Sequence, residues 1–365
     1  MPTIRAAVSD QVGAPLRVET LDLAGPGAGE VLVRTHACAI CHSDVSFLQG
    51  KWGEFAPTVF GHEIAGVVEE AGQGVSRVKP GDRVLVSLVR SCGGCRSCRL
   101  GHPVRCEETF ALDRQSPLRT RAGATVEQGL RCAGFADHVM VHASQVMPIP
   151  DDVRASSAAV IACAGITGIG AVLNTADMPP GRRAVVIGAG GVGLNAIQGA
   201  ALRDPEILVA VDVAPDKLRQ ATAFGASEAV DASREDATDR VRELTGGRGA
   251  DFVFVTVGAP AAVDQALALA ARGGTVVLVG MPATGERTSF EPSEIAAAEI
   301  RILGSKMGSA DLERDVPRIF DWVRRGRLRF DALVTQAFSL DDINPAVAAA
   351  QRPENVRVAI DFEVS

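Results

Sequence analysis

Residues 182–203, "RRAVVIGAGGVGLNAIQGAALR", restrict the fold of this chain more than any other stretch. An apolar run suited to a buried strand leads directly into Gly188, Gly190 and Gly193 in G-x-G-x-x-G spacing, and the residues that follow read as a helix. The next strand, "EILVAVDV", carries the acidic Asp212 at its end. In that context the first glycine makes the turn, the second lets a pyrophosphate approach the backbone, and the third lets helix pack on strand. The helix start at Gly190, Gly191, Val192 and Gly193 offers unpaired N–H groups and a positive dipole to phosphate. Asp212 would accept ribose hydroxyls and repel a 2′-phosphate, and Lys217 stands within reach of the same ribose, so NAD is expected over NADP. Strands and helices keep alternating through "ADFVFVTVG" and "GGTVVLVG". This predicts βαβ units and a doubly wound parallel sheet, an α/β fold of Rossmann type.

The residues before that stretch have a different rhythm. Over 1–150, "GEVLVRTHACAI", "GHEIAGVVEEAGQGV" and "VKPGDRVLVS" read as short strands divided by turns, which predicts a β-rich domain or partial barrel. A chain of 365 residues exceeds a single core, so two domains are expected. The net charge of −7 excludes a nucleic-acid partner of the usual kind, which needs a basic face. The most apolar window, "AAVIACAGITGIGAVL" at 158–173, is short and rich in Ala and Gly, so it predicts a buried helix and no membrane partner. "MPTIRAAVSD" lacks the apolar core of a secretory signal, and a cytoplasmic setting is expected. Cysteines there serve as metal ligands or redox groups before they serve as disulfides.

Half of the eight cysteines fall in "SCGGCRSCRLGHPVRC", at Cys92, Cys95, Cys98 and Cys106. Four thiolates close a tetrahedral shell, which is the mark of a structural zinc site. Arg90, Arg96, Arg99 and Arg105 lie among them and would offset their charge. An iron–sulfur cluster of ferredoxin type would want a final gap of three and a following Pro, whereas Glu107 follows Cys106 here.

The remaining motifs are "CHSD" at 41–44, "GHE" at 61–63, "CAGITG" at 163–168 and the closing "VRVAIDF". With the lobe and the glycine motif, they make the chain resemble a zinc-dependent alcohol dehydrogenase of the medium-chain dehydrogenase/reductase superfamily along essentially its whole length. The resemblance implies a GroES-like catalytic domain at 1–165 with the zinc lobe at 90–107, a Rossmann domain at 166–305 and a return to the catalytic domain at 306–365. It implies a second, catalytic zinc held by Cys41, His62 and Cys163, with one position open and Glu63 behind or transiently on the metal. Two thiolates and a neutral imidazole keep such a metal an effective Lewis acid. By the same resemblance Asp44 fixes the tautomer of His62, Ser43 relays the alcohol proton, Thr167 packs near the nicotinamide, and Arg357 and His42 contact the pyrophosphate. Many relatives have Arg where His42 stands, and a His where Ser46 stands, so the proton relay is shortened. Cys38, Cys132, His138 and His142 read as core and strand residues, and His36 and His102 have no evident partner.

The expected activity is hydride transfer between a hydrophobic alcohol, primary or aromatic, and NAD, giving the aldehyde or ketone. Trp52 and Leu88, with residues around 279–281, would form the substrate pocket. Three alternatives stand beside it: an aldehyde dismutase with tightly held NAD, a glutathione-type formaldehyde dehydrogenase, and a zinc-stabilised nucleotide-binding protein without turnover. The glutathione branch expects an Arg four residues past the last lobe cysteine and an acidic residue at the place of Trp52, and Phe110 fills the first of these. The family is homo-oligomeric, dimer or tetramer, joined through the sheet edge near "GGTVVLVG", and the length of 107–134 favours the dimer.

Overall fold

The computed structural model describes residues 3–363. The chain divides into two compact units. One comprises the chain up to Cys163 together with Asp311–Val323 and the chain from Arg329, and the other comprises Ala164–Ala310 with Arg324–Leu328.

The first unit is built on β-structure. Strands Thr3–Ser9, Arg17–Leu23, Leu118–Thr120, Thr125–Gln128 and Thr58–Val59 close a small barrel. Beside it lies a seven-stranded sheet centred on Glu30–Ile40 and Glu63–Ala71. Val31, Val33, Cys38 and Ile40 on the first of these strands, with Ile64 and Val68 on the second, are sealed in one apolar core. Glu30–Ile40 also pairs with His138–His142, so those two histidines sit at the ends of a strand. The C-terminal strand Arg357–Asp361 returns antiparallel to Glu30–Ile40, with Val358 opposite Ile40 and Ala359 opposite Ala39. Ala39 pairs on its other side with Glu63. Three adjacent strands therefore end side by side at Ile40, Glu63 and Arg357, and that register positions the site described below.

His138 ties two strands together. Its Nδ1 meets Asp137 at 2.9 Å and its Nε2 meets Glu69 at 3.2 Å, while Arg34 holds the same Glu69 at 3.1 Å. The Asp137 hydrogen bond, against the opposing effect of burial, raises the imidazole above its ordinary value. A raised folded-state value stabilises the protein below pH ~6.5 and loses that contribution as pH rises through it. His138→Gln is therefore expected to cost up to ~1 kcal/mol at pH 5.5, because the pair is partly solvated, and close to nothing at pH 9. Denaturant midpoints at the two pH values check this, and equal costs would refute it.

The second unit is a six-stranded parallel sheet in the order Glu228–Asp231, Ile207–Asp212, Arg183–Ile187, Ala250–Val255, Ala270–Leu278, Arg301–Gly304. Strand order reverses at Arg183–Ile187, with successive strands added on one side and then on the other, which makes the residues after Ile187 the topological switch point where open α/β sheets bind ligands. Helices Gly191–Ala201, Pro215–Ala223, Ala237–Leu244, Pro260–Leu269 and Pro292–Ala298 supply the crossovers. "GGTVVLVG" lies in the strand next to one edge of the sheet, and the edge strand beyond it is Arg301–Gly304, whose residues are half or fully exposed. An interior strand buried on both faces reads as a continuous apolar run, which a partly exposed edge does not need.

The apolar window at 158–173 lies in the helical run Ala155–Thr175, the only helix among the described residues long and apolar enough to span a membrane, and it is buried in the protein. It does not run as a regular α-helix. Ile161–Gly165 and Ala171–Thr175 are π-turns, and wide turns of this kind concentrate at functional positions.

Candidate metal centre and nucleotide site

Four side chains converge where the three strands end. One ligand atom from each of Cys41, His62, Glu63 and Cys163 lies within 4.8 Å of all the others, and all four residues are buried. Cys41 directly follows the strand ending at Ile40, Glu63 opens the neighbouring strand Glu63–Ala71 with His62 just before it, and Cys163 is carried by the π-turn. The π-turn shifts the helical register locally and gives Cys163 a direction that a regular helix would not.

Asp44 organises the cluster. Its carboxylate accepts the Cys41 N–H at 3.0 Å and the Gly61 N–H at 3.0 Å, and it meets His62 Nδ1 at 3.1 Å. An anion on Nδ1 keeps the proton there and turns the Nε2 lone pair toward the thiols. Nε2 is itself buried without a hydrogen-bond partner. Leaving such an atom unpaired costs about 1–3 kcal/mol, and a metal ion satisfies it.

The protonation pattern points the same way. Burial resists charging of His62, yet the Asp44 carboxylate overrides it and holds the imidazole well above its ordinary value. A hydrogen bond between Cys163 and Cys41 pulls Cys41 well down and pushes Cys163 well up. Burial lifts Glu63 to about 8 against the pull of Arg357. A buried group of two thiols, an imidazole and a carboxyl is thus held together at a cost that a dication would relieve, and the donor set suits zinc.

Arg357 is itself buried. Its Nε and Nη2 donate to the two oxygens of Glu63 at 3.2 and 3.4 Å, and its Nη1 donates to the Val356 carbonyl. Any pyrophosphate contact by Arg357 would share the guanidinium with Glu63. His42 is exposed at the first position of helix His42–Leu48, with Ser43 and Ser46 half-buried on that helix. Trp52 lies edge-on to Phe47 at 5.1 Å, and Phe47 stacks on Phe60 at 5.5 Å, so an aromatic group lies beside Gly61 and His62. Leu88 packs half-buried against the core.

Cys92, Cys95, Cys98 and Cys106 also bring their sulphurs within 4.8 Å of one another. Backbone N–H groups of Cys92 and Cys95 donate to Cys106 and Cys92 Sγ at 3.3 and 3.2 Å, the geometry that supports thiolates. Backbone bonding, first from Glu107, lowers Cys95 to about 6, whereas burial raises Cys98 to about 12. Four coordinated thiolates therefore require a metal to hold their charge. Arg99 donates to the Gly94 carbonyl inside the lobe. Arg90 does not serve as the expected counter-charge. Its side chain is wholly buried and turned to Asp113 and Gln145. No sequence pattern singled out Gln145 or joined it to Arg90, because the two lie 55 residues apart along the chain. His36, read as unpartnered, pairs with Glu363 at 3.2 Å.

In the second unit Gly188 has φ +94, open to glycine at little cost, and a Cβ on Gly193 would collide with the Gly188 carbonyl. A Cβ on Gly190 would meet nothing within 4 Å, so the turn leaves room over its backbone N–H groups for a phosphate. Asp212 Oδ2 accepts the Ala189 N–H at 2.7 Å, and Oδ1 accepts the N–H groups of Val213 and Ala214 at 2.8 and 3.0 Å. The acid fixes the glycine turn and keeps lone-pair capacity for one more donor. Lys217 is half-buried on the helix after Asp212, and Thr167 is buried with its hydroxyl on Met307 Sδ at 3.7 Å.

Comparison with known proteins agrees with this geometry. Residues 27–151 match the alcohol dehydrogenase GroES-like domain, and residues 191–325 match the zinc-binding dehydrogenase family. The chain is 35% identical to putative alcohol dehydrogenase D of Mycobacterium tuberculosis over 97% of this chain and 98% of that protein. It is 33% identical to S-(hydroxymethyl)glutathione dehydrogenase of Paracoccus denitrificans over 98% and 99% of the two chains. The benzyl alcohol dehydrogenase of Acinetobacter calcoaceticus superposes with a TM-score of 0.92 at 27% identity, over 99% of both chains. Nicotinamide cofactors occupy two further structural neighbours. A putative zinc-binding dehydrogenase from Sinorhizobium meliloti holds NADP (TM-score 0.82, 28% identity, 99% and 100% coverage). Acetophenone reductase from Geotrichum candidum holds NAD (TM-score 0.80, 26% identity, 100% and 99% coverage). The chain belongs to the zinc-binding alcohol dehydrogenases of the medium-chain dehydrogenase/reductase superfamily and is a zinc-dependent oxidoreductase.

Proposed function

We propose that this enzyme transfers hydride between a hydrophobic alcohol, primary or aromatic, and NAD, at a zinc held by Cys41, His62 and Cys163. The observation that carries the reading is the buried cluster of Cys41, His62, Glu63 and Cys163, with the one unpartnered imidazole nitrogen inside it. When bound there, zinc supplies a Lewis acid that acidifies an alcohol. Asp44 keeps His62 in the ligating tautomer, and Arg357 holds the Glu63 carboxyl. Ser43, two residues beyond Cys41, takes the alcohol proton in this reading. Ser46 cannot act as a base near neutral pH, so solvent receives the proton further along.

The aromatic group of Phe47, Trp52 and Phe60 supports an apolar substrate, in a chain of which only 4% is aromatic. It also argues against the glutathione-type reading, since Trp52 and Phe110 stand where that branch expects anchors for carboxylates. Phe110 is occupied with His142, their ring centroids 4.6 Å apart. Asp212 favours NAD by repelling a 2′-phosphate. The homodimer we expect would use the free edge Arg301–Gly304.

Initial rates with linear, benzylic and polyhydroxylated alcohols, each with NAD⁺ and NADP⁺, test the proposal. Benzylic or linear alcohols turning over with NAD⁺ support it, and a preference for polyols or NADP⁺ refutes it. His42 gives a second check. An imidazole loses its charge near neutral pH, so NADH affinity should fall between pH 6 and pH 9 in the wild type and hold steady in His42→Arg. Equal affinities across that range would remove His42 from the cofactor site.

A further inference from the structure

Arg90 heads the fully buried side chains of the protein by size, and its guanidinium has no exposure at all. All three of its nitrogens donate to groups nearby. Nε donates to Gln145 Oε1 at 2.8 Å, Nη1 to Asp113 Oδ1 at 2.9 Å, and Nη2 to Gln128 Oε1 at 3.3 Å and to the Arg131 carbonyl at 3.1 Å. The two glutamines extend the same grip. Gln145 Nε2 donates to the carbonyls of Ser87 and Arg131 at 2.9 and 3.1 Å, and Gln128 Nε2 donates to those of Met140 and Cys132 at 2.6 and 3.4 Å.

These bonds close on one short turn, where Leu130, Arg131 and Ala133 have φ of 50°, 63° and 60°. Left-handed backbone in three non-glycine residues persists only where the surroundings over-determine it. Arg90 and its two glutamines supply that constraint. The turn in turn holds the connecting segment that carries a metal ligand. Gly134 N–H donates to the Gly61 carbonyl and Phe135 N–H to the Phe60 carbonyl, both at 2.8 Å, and a Cβ on Gly129 would press on Val59 and Phe60. Phe60 and Gly61 are the two residues before His62.

We propose that Arg90 is a positioning residue for His62: it fixes the turn 129–133, and the turn fixes Phe60 and Gly61 so that the imidazole of His62 faces the metal site. Arg90 touches neither substrate nor metal, and it acts through backbone alone. The inference rests on the metal-site reading above. A guanidinium is needed because a single group must serve a carboxylate, two amide oxygens and a carbonyl at once, which an ammonium with three donors on one atom cannot span.

The test uses protein in which cobalt(II) replaces zinc. The wild type should show two absorption components, one from the four-sulphur lobe and one from the sulphur–nitrogen site. Arg90→Lys, which keeps a charge for Asp113, should shift the sulphur–nitrogen component, leave the lobe component in place, and speed chelator release of that metal ~10-fold. Arg183→Lys weakens the half-buried pair with Asp251 in the other unit and serves as a control for destabilisation alone. It should lower the melting temperature and leave the spectrum unchanged. If Arg90→Lys does not fold, Gln128→Met removes the side-chain bonds to Arg90, Cys132 and Met140 and should give the same spectral shift. A wild-type spectrum and release rate in Arg90→Lys, or in Gln128→Met where that variant stands in for it, overturns the proposal while sparing the metal-site reading. Absence of a sulphur–nitrogen component in the wild type overturns both.

Discussion

Cys163→Ala is expected to keep its fold and its lobe metal and to lose alcohol oxidation by roughly 10³-fold or more. Stabilisation of developing charge by a bound metal is worth several kcal/mol, and each 1.36 kcal/mol is one decade of rate. Cys163 is one of the three side chains that would hold the ion, and it lies in the buried cluster with Cys41, His62 and Glu63. Its loss leaves His62 and Cys41 with too few donors to retain the ion against buffer or chelator. Alanine also fits the π-turn, whose other residues include Ala162 and Ala164, so the backbone that carries residue 163 should persist. Initial rates and circular dichroism on the same preparation check this. A folded Cys163→Ala enzyme within tenfold of the wild type would remove Cys163 from the metal site.

The second large effect concerns stability. Residues 92–106 carry almost no core of their own, with Val104 the one buried side chain among them. A loop without apolar burial holds its shape through its metal. Cys106→Ser is expected to cost on the order of 4 kcal/mol, the size typical of losing a structural metal, and to lower the melting temperature by roughly 10 °C. Limited proteolysis should then cut first within 93–105. A melting temperature within 2 °C of the wild type would show that the lobe stands without its ion.

The two nucleotide and lobe motifs were legible because their chemistry is local. Gly188, Gly190 and Gly193 act within one turn, and Cys92, Cys95, Cys98 and Cys106 within one loop. The ligands Cys41, His62 and Cys163 are brought together by long-range pairing, Ala39 against Glu63 and Val358 against Ile40, and by a π-turn. Spacing alone carries no trace of such pairing, so these residues emerged through family resemblance. Arg90 was misread for the same reason. It looks like a counter-charge to neighbouring thiolates, yet its partners lie 23 to 55 residues away. The edge strand itself, Arg301–Gly304, carries little signal because it is short and partly exposed, while its interior neighbour advertises itself with a long apolar run. The pairing of Glu63 with Arg357 likewise needed the C-terminal strand to be seen lying beside Glu30–Ile40.

Zinc content and coordination, measured on the protein sample that oxidises alcohol, test the central claim most directly. Two zinc ions per chain are expected, one in a shell of four sulphurs and one in a mixed sulphur–nitrogen shell, as the two clusters require. Selective loss of the mixed-shell ion to a chelator should abolish turnover, and zinc should restore it. One zinc per chain in a four-sulphur shell, with alcohol oxidation undiminished, would contradict the account.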